Sequence, residues 1–310
     1  MKITSYSQSA SNTKPHFRPS LLLGAAATAL AVMASPALQA QSDNWNDGDD
    51  LGWTHYAPPG LGQTFTFPVN PADGSFAYRL TSGQGTAPNP GRVGSYLMGG
   101  PMLTDFNITV DLINWDNGQS QNMGVAARVQ SPLSPTAFPS SYALVYANRF
   151  SSGGGGTDQL RLYKTIPTTV GFMNNGLGNM GQFGVVAGGD APPNPTNDYQ
   201  LVFTGTNNVF TGQIIDKGTG LALTFNDGLG GLTNKIWASD PGPSAGFGAL
   251  YGPGNVGLFA FVGGGGGASA MDPTYDNFVA TGVPEPSTVA LGLAGSAGLL
   301  WVSRRRRQRC

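Results

Sequence analysis

One cysteine, one glutamate and two histidines are all that the 310 residues offer of three side chains on which much enzyme chemistry depends. The cysteine is the last residue, Cys310; the glutamate is Glu285; and one histidine, His16, lies near the start. Residues 41–283 therefore hold no thiol, no glutamate and a single imidazole, His55. No disulfide can staple that stretch, and no thiolate can bind a metal in it. A zinc centre is starved of ligands there, and a triad of serine, histidine and aspartate would have only His55 to build on. Stability must come from a hydrophobic core, which a chain of this size can supply. Long apolar runs are scarce too, and the two that occur sit at the ends.

Lys2, Lys14 and Arg18 precede the apolar run Leu21 to Val32, and small residues follow at Ala34, Ser35, Ala37 and Ala40. This is the anatomy of a secretory signal peptide, 1–40, cut by signal peptidase after Ala40. The run is too short for a retained transmembrane helix. At the other end, Pro284-Glu285-Pro286 leads into the run Ser287 to Val302 and then into Arg304, Arg305, Arg306, Arg307 and Arg309. Sixteen residues make a helix of roughly 24 Å, short for a hydrocarbon layer of about 30 Å. The pattern predicts a marginal C-terminal transmembrane helix with its arginines cytoplasmic and everything before Pro284 facing outward.

The order of these three parts resembles the PEP-CTERM sorting signal of Gram-negative bacteria, and the resemblance covers 284–310. It implies that an exosortase-type enzyme reads Pro284, Glu285, Pro286 and the cluster Arg304 to Arg307. It also implies an inner-membrane intermediate, cut near the Pro-Glu-Pro, on the way to the cell surface or extracellular matrix. The alternative is an ordinary single-pass anchor.

The stretch between the signals, 41–283, has the length of one large all-β domain. It carries eight basic residues against sixteen aspartates, a net charge near −8. Nucleic acid is excluded as a partner, because no basic surface is available to displace counterions from phosphates.

Its periodicity is two almost everywhere. Thr64 to Val69, Phe106 to Leu112 and Leu160 to Lys164 alternate polar and apolar residues. Phe76 to Leu80, Gly124 to Val129, Tyr142 to Ala147, Tyr199 to Phe203, Val209 to Ile215, Leu221 to Phe225, Val256 to Val262 and Tyr275 to Ala280 are further strand candidates. Such alternation sets one face on a core and the other toward water. Turn signals stand between the runs, at Asp73-Gly74, Asp116-Asn117-Gly118, Gly205 to Asn208 and Asn226-Asp227-Gly228. Gly153 to Gly156 and Gly263 to Gly267 read as surface loops, and Asn174 to Pro195 as one long irregular excursion. The fold class that follows is an antiparallel two-sheet β-sandwich.

Three stretches add a family look: Asp43 to Trp53 at the start, Asn122 to Val129 in the middle and Tyr275 to Val279 at the close. Together they resemble the concanavalin A-like, laminin-G-like jelly rolls of bacterial surface proteins. The resemblance implies adjacent first and last strands and a carbohydrate-binding or adhesive role. Glucanases of this architecture use closely spaced glutamates, and 41–283 has none. The only Asp-x-Asp is Asp47-Gly48-Asp49, in a polar turn. A non-enzymatic protein is therefore expected, with an aspartate-based polysaccharide hydrolase and a ligand-free structural coat protein as the alternatives.

Carbohydrate binding calls for aromatic rings beside oriented polar groups. Trp53, Tyr56, Trp115, Tyr142, Tyr146, Trp237 and Tyr251 supply rings, most of which a sandwich core would absorb. Trp115 and Asn117, flanking a turn, with Asp111 and Arg128, form the candidate ligand set. Arg128 interrupts an apolar strand and, by alternation from Val125 and Val129, is expected on the outer face, where pairing with Asp111 competes with ligand contact. His55, in Trp53-Thr54-His55-Tyr56, reads as a solvent-facing strand residue. Calcium is the one metal that the composition permits, through Asp43, Asp47, Asp49, Asp50 and Asp276. The spacing does not fit an EF-hand, and capping of strand ends is the competing role for these aspartates.

Overall fold

Where the sequence alternates, the chain builds paired strands. The computed structural model describes residues 40–83, 91–130, 139–148, 158–165, 183–186, 198–226, 231–240, 252–262 and 270–283. The predicted signal peptide up to residue 39, the sorting signal and the two glycine runs lie outside the described residues. Among the described residues every regular element is a strand, and no helix is long and apolar enough to cross a membrane.

Among the described residues eighteen strands divide between two antiparallel sheets. The first sheet holds β1 (Ala40–Asp43), β3 (Thr64–Thr66), β4 (Tyr78–Thr81), β6 (Phe106–Asn114), β11 (Tyr199–Thr206), β12 (Val209–Asp216), β13 (Leu221–Ala222), β16 (Ile236–Ser239) and β18 (Thr274–Gly282). Its order is β13-β12-β11-β6-β18-β4-β3, with β16 also on β12 and β1 also on β18. The second sheet holds β2 (Thr54–Tyr56), β5 (Arg92–Leu97), β7 (Gln121–Val129), β8 (Ser141–Asn148), β9 (Gln159–Thr165), β10 (Phe183–Val186), β14 (Phe225–Asn226), β15 (Leu232–Thr233) and β17 (Asn255–Val262). Its order is β15-β14-β10-β9-β8-β7-β17-β5-β2. The chain passes repeatedly from sheet to sheet, among other places between β5 and β6, β6 and β7, β10 and β11, β16 and β17, and β17 and β18, as in a jelly roll. First and last strands are neighbours, with Asp43 opposite Phe278, as the family resemblance implies.

The core lies between the sheets. Tyr142 of β8 stacks on Phe210 of β12 with centroids 4.2 Å apart, and Leu144 closes over Gly212. Phe106 meets Phe203 edge-on, and Trp45 stacks on Tyr78. The outer face of the first sheet is polar: Asn107, Thr109, Gln200, Thr204, Thr211 and Gln213 alternate with the buried positions. In the two-residue hairpin loop of β11 and β12, Asn207 takes a positive φ of 54°, which asparagine tolerates better than most residues.

Every strand candidate read from the sequence overlaps an observed strand, the stretch Leu221 to Phe225 being split between β13 and β14. β5 does not alternate in polarity, because Arg92 to Tyr96 are buried on both faces and carry no water-facing set to mark them. β10 falls inside the predicted irregular stretch Asn174 to Pro195, the rest of which lies outside the described residues.

Candidate functional site

The four residues expected to bind ligand together are not brought together. Asp111 is on the outer face of the first sheet. Trp115 is in the core, 2% exposed, packed on Tyr146 and Tyr199 with centroids 5.6 and 6.0 Å away. Asn117 is in the turn between β6 and β7, which is tied down by Asp272, Gln121 and Asn148.

Arg128 corrects the sequence reading in both respects. It faces the core and does not pair with Asp111. Its φ is +51°, and the register between β7 and β17 slips beside it, opposite Asn255 to Gly257. A bulge adds one residue to one strand and reverses the facing that alternation would assign. The guanidinium lies 5.2 Å from the Phe210 ring centroid and 5.6 Å from that of Tyr142. Its Nε donates to Thr104 O at 2.7 Å and its Nη2 to Asn207 O at 2.5 Å, with Asp105 Oδ1 3.7 Å away. Burial lowers its pKa, opposed by Tyr142, Asp105 and Asp240.

The calcium set is also corrected: among the described residues no three acidic or imidazole side chains gather in a metal-binding group. Asp43 accepts from Trp45 N and Trp53 Nε1, Asp47 from Asp49 N, and Asp49 from Leu51 N. Asp276 accepts from Asn277 N, Asn70 Nδ2 and Ser75 Oγ. These carboxylates shape turns and strand ends. Asp50 instead lies 2.5 Å from His55 Nε2 and accepts from Tyr78 OH. His55 is solvent-facing as expected, with its ring stacked on Phe65 at 3.6 Å. The one Gly-x-Ser-x-Gly pattern, Gly242 to Gly246, lies outside the described residues.

Asp111 and Asp276 stand opposite each other on β6 and β18, both buried, in contrasting surroundings. Asp111 accepts from Lys217 Nζ at 2.5 Å, Asn277 Nδ2 at 2.9 Å and Gln200 Nε2 at 3.1 Å. Burial pushes the Asp276 carboxyl above the ordinary aspartate range, assisted by the nearby Asp111 and only partly opposed by Asn70 and Asn277. Between the ordinary and the raised value the folded state keeps a proton that the unfolded chain has released, so stability falls as pH rises through that window. Relative to wild type, Asp276→Asn is therefore expected to gain stability as pH rises from 4 to 7, read from urea midpoints at each pH.

The outer face of the second sheet carries a site that sequence reasoning missed. Leu144 points at the first sheet, so Ala143, Val145 and Ala147 point away from it. Opposite them on β7 stand Ala126, Gly124 and Asn122. A Cβ on Gly124 would lie 2.0 Å from Leu144 O, so this floor is held at minimal height by close backbone approach. On one side of the floor, β17 contributes Phe259 and Phe261, stacked at 5.7 Å, and β5 contributes Arg92 and Tyr96. On the other side, β9 contributes Gln159, Arg161 and Tyr163. Tyr163 and Phe261 flank the two floor strands, yet their rings meet at 6.0 Å. They must reach toward each other over the small residues.

The polar groups of this face are held in place. Arg161 donates through Nε to Gln159 Oε1 and through Nη1 to Tyr163 OH, each at 2.8 Å. Arg92 lies over the Tyr56 ring at 5.9 Å. Burial pushes the Tyr56 hydroxyl up to about 12 against the pull of Arg92, so it stays a neutral donor. Asn122 is 1% exposed; its Nδ2 reaches Phe261 O at 3.4 Å, and its Oδ1 accepts no hydrogen bond. No described strand stacks on this face, yet its floor residues Ala126, Ala143, Val145 and Ala147 are buried. The signal available in the sequence was the run of small residues opposite aromatics in both-face-buried strands, which alternation alone does not flag. Of the rings proposed from sequence, Tyr56 belongs here, Trp237 is 53% exposed on the first sheet, and Tyr251 lies outside the described residues.

No protein-family model matches the chain, and no curated protein matches it in sequence. Among solved structures it is similar to a Bacillus subtilis protein of unknown function with a galectin-like fold, at 11% identity and a TM-score of 0.46, over 77% of this chain and 94% of that one. It is similar to lectin II from Ulex europaeus at 9% identity and a TM-score of 0.43, over 79% and 98%. It is similar to a β-1,3-1,4-glucanase from a mouse hindgut metagenome at 12% identity and a TM-score of 0.37, over 79% and 99%. Likeness at this level transfers no residue role and no activity, and the sandwich stands on its own strand order.

Proposed function

We propose that this is an exported protein of the cell surface or extracellular matrix, whose β-sandwich binds polysaccharide on the outer face of the second sheet. Export and sorting rest on the signal-peptide pattern and on Pro284-Glu285-Pro286 with its run and arginine cluster, which an exosortase-type enzyme would process after transient residence in the inner membrane. The observation that carries the binding face is Asn122: a buried amide oxygen without a donor, beside Phe261 and above a floor of glycine and alanine. A buried acceptor left unmatched costs free energy that a ligand hydroxyl would recover. The aromatic rings beside it supply the apolar contact that sugar rings need.

Asn122→Ala separates binding from stability. Removing an unsatisfied acceptor is expected to change stability by less than about 1 kcal/mol. Retardation of the full chain in polysaccharide-containing gels should fall at least fivefold. Unchanged retardation, or no retardation of wild type by any glycan, would remove this reading.

One observation favours a hydrolase instead: Asp111, paired with Lys217, faces Asp276, which is pushed toward its protonated form, a contrast that acid and base catalysis can use. Release of reducing sugar from the retained polysaccharide, lost in Asp111→Asn, would establish that reading over the first.

A further inference from the structure

We infer that the outer face of the first sheet is a second glycan site, one that takes a neutral polysaccharide with Trp237 as its stacking platform. It is separate from the face proposed above and does not rest on it. Ile236 and Ala238 of β16 are buried, so alternation turns Trp237 outward, where it is 53% exposed. Trp45, Trp53 and Trp115 are at most 8% exposed. Among the described residues the Trp237 indole has no hydrogen-bond or ring partner. Val209 and Val279 are exposed on the same face, so Trp237 is not a single apolar residue scattered on a surface.

The register sets polar groups beside the ring. Trp237 is opposite Thr211, Thr211 opposite Thr204, Thr204 opposite Asn107 and Asn107 opposite Thr281. All four polar residues of this row are partly exposed. Thr204 and Thr211 bond hydroxyl to hydroxyl at 2.5 Å, and whichever oxygen accepts that bond keeps its own proton for a ligand. The Asn107 amide nitrogen donates to no described group. Four strand spacings separate β16 from β18, roughly 19 Å at about 4.8 Å each. A single sugar does not span the row. A chain of several residues does, with one ring on the indole and its hydroxyls over the threonines and the asparagine.

Composition selects the occupant. The adjacent row, Gln213, Val202, Thr109 and Val279, is uncharged like the first, in a stretch 41–283 whose net charge is near −8. An anionic polymer meets no cation in either row. A second copy of this chain would set hydroxyls and amides on hydroxyls and amides, without the apolar centre of a subunit interface and against mutual repulsion. A neutral polysaccharide matches both components: its apolar ring faces cover the indole, and its hydroxyls bond to threonine and asparagine.

The test is affinity electrophoresis of the full chain in gels containing laminarin, dextran or galactomannan, with melting temperatures measured alongside. Retardation by at least one of these polymers is expected. Trp237→Ala should weaken it about tenfold at an unchanged melting temperature, and Trp237→Phe, which keeps a ring, should weaken it much less. Thr204→Val should weaken it roughly threefold to tenfold, the worth of one hydrogen bond. Acrylamide quenching in a Trp301→Phe background needs no change at the site, because Trp237 is then the exposed indole of the chain. The retaining polymer should protect it. No retardation by any neutral polymer, wild-type retardation of Trp237→Ala, or quenching unchanged by saturating polymer would overturn the inference. Sedimentation of the glycan-free protein as a dimer that Trp237→Ala dissociates would overturn it in favour of self-association. Retardation lost in Asn122→Ala and kept in Trp237→Ala would remove this site and leave the face on the second sheet. The opposite pattern would remove that face and support this site.

Discussion

Lys164→Met is expected to destabilise the protein by about 3–5 kcal/mol, the cost of leaving a buried carboxylate without its cation. Lys164 Nζ is 2.6 Å from Asp240 Oδ2, and both side chains are all but fully buried. Tyr142 OH donates to the same oxygen at 2.6 Å, and the Lys164 ammonium lies 5.7 Å from the Tyr142 ring centroid. The pair joins β9 of the second sheet to the end of β16 in the first, across a core that no disulfide reinforces. In a domain of this size the loss corresponds to roughly 10 °C in melting temperature. The double variant Lys164→Met, Asp240→Leu should recover much of it, since exchanging a whole buried ion pair for apolar groups is often close to neutral. Guanidinium unfolding of the three proteins checks this, and a single variant that unfolds at the wild-type midpoint would refute it.

Arg128→Ala should cost about 3 kcal/mol without a specific effect on glycan retention. The side chain satisfies Thr104 O and Asn207 O, stands by Asp105 and fills space among Phe106, Tyr142 and Phe210. Truncation frees two carbonyls, leaves Asp105 with the Asn207 N–H and opens a void, and the costs of these add. Arg128→Lys should rescue little, because a single ammonium on a flexible stem cannot aim two donors at fixed carbonyls. Thermal unfolding measures the first effect, and gel retardation below the melting temperature measures the second. Lost retardation with unchanged stability would return Arg128 to a ligand-binding role.

These two residues show where reading a sequence stops. Lys164 was visible only as the polar end of an alternating run; that Asp240, 76 positions later, would meet it depended on how the sheets stack. Arg128 was singled out correctly as a residue out of place in an apolar strand. Its direction was misread because a bulge beside it slips the register, and period-two reasoning has no means of seeing an inserted residue. The outer face of the second sheet escaped for a related reason. Its strands are buried on both sides, so Gly124, Ala126, Ala143 and Ala147 looked like ordinary core residues.

Composition and period-two patterning alone decided that 41–283 folds as antiparallel strands around an apolar core, without thiol or glutamate chemistry, because those properties depend on residue type and on neighbours close in the chain. Which carboxyl is pushed toward its protonated form, which way an arginine points and which rings share a floor were decided by the stacking and register of two sheets. Those are contacts between residues tens to hundreds of positions apart, and local alternation carries no record of them.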